Sequence, residues 1–208
     1  KGNKEQILKW LLKYKYITVR EDNAVDMLRD LGLKSERVLD PTLLVEKSMW
    51  FKYLLPIKEK GYVLVYQLHN DKRLGEYANK VAKLKGLPLI RISPTFHQIS
   101  RQGKFVWLPE FGEFLSYIKN AECMITDSFH GTAFAITFNT PFIEVLPNNN
   151  TKGRNISILK LTGLESQLLD NFENFDLALK KVDFSYANKI LSNERNNSYQ
   201  LFKDIIRK

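Results

Sequence analysis

Cys123-Met124-Ile125-Thr126 leads into Asp127-Ser128-Phe129-His130-Gly131-Thr132-Ala133, after which apolar residues run to Phe138 and Pro141-Phe142-Ile143 follows. A short apolar run closed by polar residues predicts a strand over 123–126. The glycine ahead of an apolar stretch predicts a helix over 131–138. A second strand is expected over 141–146. Strand, polar turn, helix, strand is the order of a parallel sheet, because two parallel strands need a crossover between them.

Upstream, the same alternation recurs. Gly61 to Tyr66 predicts a strand, Asp71 to Lys85 a helix stopped by Gly86 and Pro88, and Leu89 to Ile92 a strand ended by Ser93-Pro94. The next stretch reads as loop, until Pro109 opens a helix through Ile118. Earlier still, Ile7, Leu8, Leu11, Leu12 and Tyr14 recur at helical spacing and Tyr16 to Val19 is β-rich. Asp22 to Leu31 predicts a helix stopped by Gly32, and Val38-Leu39 a short strand. Downstream, Asn148-Asn149-Asn150 forms a polar loop, and the tail from Ile156 is mainly helical. The expectation is an α/β fold: a Rossmann-like parallel sheet with helices on both faces and a helical C-terminal tail. It is expected to form a single domain over 1–208, with its core at about 15–165 and its tail at about 166–208.

Of 208 residues, 44% are hydrophobic and 12% aromatic, enough for a packed core. The one cysteine, Cys123, excludes an internal disulfide and suits a reducing compartment; its apolar strand places it in the core. No apolar run approaches the roughly 18–20 residues of a membrane span, and no signal-peptide pattern opens the chain. Lys1 and the lysine-rich stretch after it read as the interior of a longer protein. Lys plus Arg number 32 against 23 acids, a net charge of +9 and a pI near 9.5. This charge is spread over the helices with no basic block interleaved with aromatics, so small anionic substrates fit better than nucleic acid. One cysteine and three scattered histidines give no metal-ligand spacing, and no metal is expected.

Ligands of open α/β sheets bind beyond the carboxyl ends of the strands, which directs attention to the turn at 126–132. A helix beginning there offers backbone N–H groups to an anion, and His130 can exchange protons near neutral pH. Asp127, Ser128, Phe129, Gly131 and Thr132 are the substrate-binding positions around it. The plainer alternative is that Asp127 or Ser128 caps the helix and His130 bonds a loop carbonyl. Arg20 closes a strand, where its fork suits a carboxylate or phosphate, or else pairs with Glu21 at the surface. His69, in Gln67-Leu68-His69-Asn70, either orients a sugar or phosphate or is a solvated loop residue. Lys152-Gly153-Arg154-Asn155 puts two cations on flexible backbone ahead of a helix, like an anion-binding turn. His97, in a Ser/Thr/Gln-rich loop, gives no positive reason for a catalytic role.

Thr18-Val19-Arg20-Glu21, Val38-Leu39-Asp40-Pro41-Thr42-Leu43-Leu44 and Asn120 through Gly131 come in a fixed order, followed by Pro141-Phe142-Ile143 and by Arg154 leading into Ile158 to Leu164. This ordered set resembles the polysaccharide pyruvyl transferase family over roughly residues 15–165. What it resembles is the C-terminal half of those enzymes. The resemblance implies one half of a GT-B-like fold, facing an N-terminal Rossmann-like domain across a cleft. It implies transfer of pyruvate from phosphoenolpyruvate to two hydroxyls of a sugar, as a cyclic ketal, in bacterial capsular or exopolysaccharide synthesis. Phosphoenolpyruvate is then a co-substrate, no cofactor is needed, and the acceptor is a sugar or lipid-linked oligosaccharide. The setting it implies is cytoplasmic, with peripheral association at the inner membrane face, where basic residues favour anionic headgroups.

Within the resemblance, the family's first-strand arginine and turn histidine fall on Arg20 and His130, the expected catalytic residues. Many members carry an arginine two residues before that histidine. Here the position is Ser128, and Arg154 or Arg91 are the cations that could replace it. Two other readings stay open on the residues. One is a GT-B glycosyltransferase using a nucleotide sugar, with His130 and the helix dipole stabilising the departing diphosphate. The other is a non-catalytic anion- or sugar-binding module.

Overall fold

A computed structural model describes residues 3–147 and 152–207. Asn148-Asn149-Asn150 lies outside the described residues. The chain divides into two units, 1–44 with 191–208, and 45–190, where the sequence grouped everything into one domain.

The first unit holds α1 (Lys4–Leu11), β1 (Thr18–Val19), α2 (Asp22–Asp30), β2 (Glu36–Arg37) and α3 (Pro41–Leu44). Helix α2 ends where Gly32 takes φ +74°, a conformation glycine reaches at no steric cost. It crosses over between two short parallel strands, with Thr18 opposite Glu36 and Val19 opposite Arg37. The strand expected at Val38-Leu39 sits two residues earlier, although the Val38 N–H still donates to Val19 O at 2.8 Å. Residues from 191 onward in the last helix complete this unit: Ser198 Oγ accepts the Leu39 N–H at 3.1 Å, and Arg195 Nε donates to Leu43 O at 2.7 Å.

The second unit runs from α4 (Lys47–Trp50) through β3 (Val63–Tyr66), α5 (Lys72–Lys85), β4 (Leu89–Ser93), β5 (Lys104–Trp107), α6 (Phe111–Lys119), β6 (Cys123–Thr126), α7 (Phe129–Phe138), β7 (Phe142–Glu144), α8 (Lys152–Thr162) and α9 (Asp176–Leu179) to the start of α10 (Ser185–Ile206). Its five strands are parallel in the order β5-β4-β3-β6-β7. The chain therefore starts in the middle, builds outward through β4 and β5, and crosses back to β6. That reversal puts a switch point between β3 and β6. Alternate strand residues face opposite sides of a sheet. Val63, Val65 and Ile125 pack against Leu74, Tyr77, Ala78 and Val81 of α5. On the other side, Tyr66 meets Phe114 of α6, ring centres 4.9 Å apart. Helices thus cover both faces, the α/β architecture expected, with a helical C-terminal region. Cys123 is buried, as expected.

Four details differ from the sequence reading. The stretch read as loop contains β5, an edge strand that follows Gly103 at φ +107°. Helix α6 starts after Glu110, whose side chain and that of Glu113 form a reciprocal capping box, so Pro109 lies outside it. Helix α7 starts at Phe129, which places His130 in its first turn. Lys152 to Asn155 is the first turn of α8, not flexible backbone. Among the described residues, no helix is long and apolar enough to cross a membrane.

Candidate functional site

Tyr66 and Thr126 are neighbours at the ends of β3 and β6, so Gln67–Asn70 and Asp127–His130 leave the same sheet edge at the switch point. Thr126 fixes the second turn: its hydroxyl donates to Tyr66 O at 2.7 Å and accepts the Ser128 N–H at 3.0 Å. Ser128 is the N-cap of α7 and accepts the Gly131 N–H at 3.4 Å. A Cβ on Gly131 would stand 2.7 Å from Thr126 Oγ1, so close approach of the strand end demands glycine here.

Asp127 is not the cap. It faces the loop after β3, where its oxygens accept the N–H groups of Leu68 at 2.7 Å and His69 at 3.0 Å. The same carboxylate lies 3.0 Å from His69 Nδ1, and the His69 side chain remains 41% exposed. A carboxylate on Nδ1 holds the proton there and leaves Nε2 as the accepting nitrogen. Beside the pair opens a cleft of about 380 Å³, bounded also by Arg73, Leu74, Val145 and Pro147. The structure thus joins two residues that sequence spacing left separate.

Behind the turn lies a buried polar brace. Glu144, at the end of β7, is 0% exposed and accepts from the Thr132 hydroxyl and the Asn155 amide. Thr132 Oγ1 also lies 3.0 Å from Ser128 O. Burial pushes the Glu144 carboxyl up to about 8, against those two hydrogen bonds and with the nearby Asp127 charge. At neutral pH, most of it is therefore the uncharged acid. Neither Glu144 nor Asn155 was singled out from sequence; a lone glutamate inside the apolar 141–146 run was the available signal.

His130 is exposed in the first turn of α7, its ring edge-on to Phe129 at 5.4 Å between centres. The Arg154 guanidinium, from the first turn of α8, lies 5.5 Å from the Phe129 ring centre. A cation therefore sits at the turn where Ser128 replaces the expected arginine. Arg91 does not serve there: it is wholly buried, donating to Gln102 O, Gln98 Oε1, Gly75 O and Asn79 Oδ1.

Arg20 belongs to the first unit. Its guanidinium meets Asp40 at 2.5 Å and Glu21 at 3.8 Å, while its side chain stays 39% exposed. Asp40 is also held by the Thr42 hydroxyl at 2.7 Å and N–H at 3.0 Å. Burial opposes the Asp40 charge, but the Thr42 bonds and Arg20 together hold its carboxyl below the usual range. A cleft of about 470 Å³ adjoins it, walled by Val19, Ala24, Leu39, Pro41 and Phe202. No cluster of three metal-ligating side chains occurs among the described residues.

Several comparisons bear on this arrangement. Among solved structures, a UDP-GlcNAc 2-epimerase of Methanocaldococcus jannaschii, in complex with UDP-GlcNAc and UDP, aligns at a TM-score of 0.53 and 16% identity. That alignment covers 88% of this chain and 61% of the epimerase, so the chain spans less than two thirds of its length; the likeness shows the fold alone. The wall teichoic acid polymerase TagF aligns at a TM-score of 0.38 and 11% identity, over 90% of this chain and 53% of that one. No curated protein matches the sequence significantly. Residues 1–150 match the polysaccharide pyruvyl transferase family, and the chain belongs to that family.

Proposed function

From this membership, we propose that the chain supplies one half of an enzyme that transfers pyruvate from phosphoenolpyruvate to a sugar diol as a cyclic ketal. The observation that carries the reading is the first turn of α7, where exposed His130, the helix end and Arg154 meet beside the switch point. Phosphoenolpyruvate brings a phosphate and a carboxylate. The α7 terminus and Arg154 receive the phosphate, Arg154 taking over from the arginine that Ser128 replaces. By the same membership, Arg20, held by Asp40 in the first unit, keeps the role of the family's first-strand arginine.

Two carbon–oxygen bonds form and one breaks. His130 delivers a proton to the methylene carbon, leaving positive character on the adjacent carbon, and a sugar hydroxyl attacks there as its proton passes to a base. The His69–Asp127 pair has the accepting nitrogen for that step. The second hydroxyl then attacks the same carbon, its proton returning to the deprotonated His130, and phosphate departs with its bonding electrons. The neutral brace at Glu144 keeps the turn fixed without adding negative charge beside an anionic donor. The acceptor is a sugar or lipid-linked oligosaccharide, and the +9 charge suits work at the inner membrane face.

His130→Ala, assayed for phosphate release in the enzyme completed by its N-terminal half, is expected to lose about 10²–10⁴-fold in turnover. Near wild-type turnover contradicts the assignment.

A further inference from the structure

The edge beyond β4 carries a second concentration of positive charge, which the proposed chemistry does not use. Arg91, inside β4, is 0% exposed, and it donates to four neutral oxygens: Gln102 O at 2.7 Å, Gln98 Oε1 at 3.3 Å, Gly75 O at 3.1 Å and Asn79 Oδ1 at 2.7 Å. Among the described residues, no carboxylate forms an ion pair with it. An unneutralised buried charge is costly. A tie between β4 and α5 needs hydrogen bonds, but no charge. Burial, and then the charge of Arg101, push the Arg91 guanidinium down to about 10.

Arg101 repeats the pattern. Nη1 donates to Gln67 Oε1 at 2.8 Å and Asp71 O at 3.3 Å, and Nη2 to Asn70 Oδ1 at 2.7 Å, again without an ion pair among the described residues. Its guanidinium lies against Gly75, where a Cβ would come within 2.9 Å of Nη1. Glycine in the interior of a helix is disfavoured relative to alanine. Here it makes room for the arginine.

These groups line one opening of about 320 Å³, together with Lys72, Asn79, His97 and Ser100. His97 lines the opening as a residue; its Nε2 is buried without a hydrogen-bond partner, and its Nδ1 is taken by Thr95. Of the nearby acids, Glu76 sits exposed on the wall, and the Asp71 carboxylate, bonded by Arg73 at 2.8 Å, also feels the Arg101 charge without pairing with it. Beyond the bonds above, Arg101 has its Nε–H and a second Nη2–H, and a guanidinium suits the oxygens of a phosphate.

We propose that this opening is a phosphate-binding site, filled by the mono- or diphosphate group of a ligand other than the donor at the α7 turn. The proposal stands apart from pyruvyl transfer and holds whether or not that chemistry does. Inorganic phosphate and pyrophosphate are titrated into the 208-residue chain, following the arginine Nε–H resonances by NMR and the affinity by calorimetry. The Arg101 Nε–H, identified by its loss in Arg101→Gln, is expected to shift saturably. Arg101→Gln weakens binding at that site at least tenfold, while His130→Ala leaves it within twofold. Tighter binding of pyrophosphate assigns the opening to a diphosphate, equal binding to a monophosphate. An Arg101 resonance that does not move, or an affinity unchanged in Arg101→Gln, overturns the proposal. If Arg101→Gln melts early, the exposed Lys72→Met carries the test: a loss of threefold or more is expected, and unchanged affinity overturns it.

Discussion

Two turns in this chain leave parallel strands and enter helices, and they treat their acids in opposite ways. At the end of β1, Asp40 reaches the basic side chain and closes on Arg20 at 2.5 Å. At the end of β6, Asp127 turns away from the helix and is engaged by two backbone N–H groups and His69. The first turn stores a charge pair. The second is braced from behind by buried polar groups and carries His130 on the outside. The same local topology thus yields a cation restrained by an acid and a histidine on a turn set in advance.

The comparison breaks most visibly at Glu144. Glu144→Ala leaves the Thr132 hydroxyl and the Asn155 amide without their acceptor and opens a cavity, so a loss of about 2–5 kcal/mol is expected in chemical denaturation. A loss under about 1 kcal/mol means the brace does not hold the turn. Its pH signature has a definite sign. The folded-state value of about 8 lies above the unfolded one, so the stabilisation is full below about pH 4.3 and is lost as pH rises toward 8. Glu144→Gln, which cannot ionise, removes that slope.

Asp127→Ala is next in size. It strips the acceptor from two backbone N–H groups and is expected to cost about 1–3 kcal/mol in the same denaturation experiment. An equal effect from Asp127→Ala and from disruption of the Arg20 pair would erase the distinction between the turns.

The smallest effect belongs to Asp40. Its carboxyl is held below the usual value, so its stabilisation is present above about pH 3.9 and lost as pH falls through the folded-state value. Because Arg20 is partly exposed, solvent screens the pair, and Asp40→Asn is expected to cost no more than about 1 kcal/mol. Melting curves between pH 3 and 7 check this: the wild type should lose stability more steeply toward acid than the variant.

The element order was legible because buried strands and helices carry apolar runs with the right spacing and end at glycine or proline. Strand β5 was not, because a half-exposed edge strand such as Lys104–Trp107 needs no continuous apolar run. The turn at 126–132 was legible as a strand end leading into a helix, and exposed His130 lies in that helix's first turn. The direction of Asp127 was not, since its partner loop lies 58 and 59 residues away in the chain. Arg91 read as a spare cation for the donor, yet all four of its acceptors come from elsewhere in the fold. Polar partnerships across strands leave no periodic mark in sequence, and the site consists largely of these.

The central claim is the chemistry at the α7 turn. It is tested most directly by incubating the enzyme, completed by its N-terminal half, with phosphoenolpyruvate labelled with carbon-13 at the carbon bearing the phosphate and with a sugar-diol acceptor. The account predicts a ketal carbon in the sugar product, inorganic phosphate in equal amount, and the loss of both in His130→Ala. Intact phosphoenolpyruvate, together with consumption of a nucleotide sugar by the same enzyme, would contradict it.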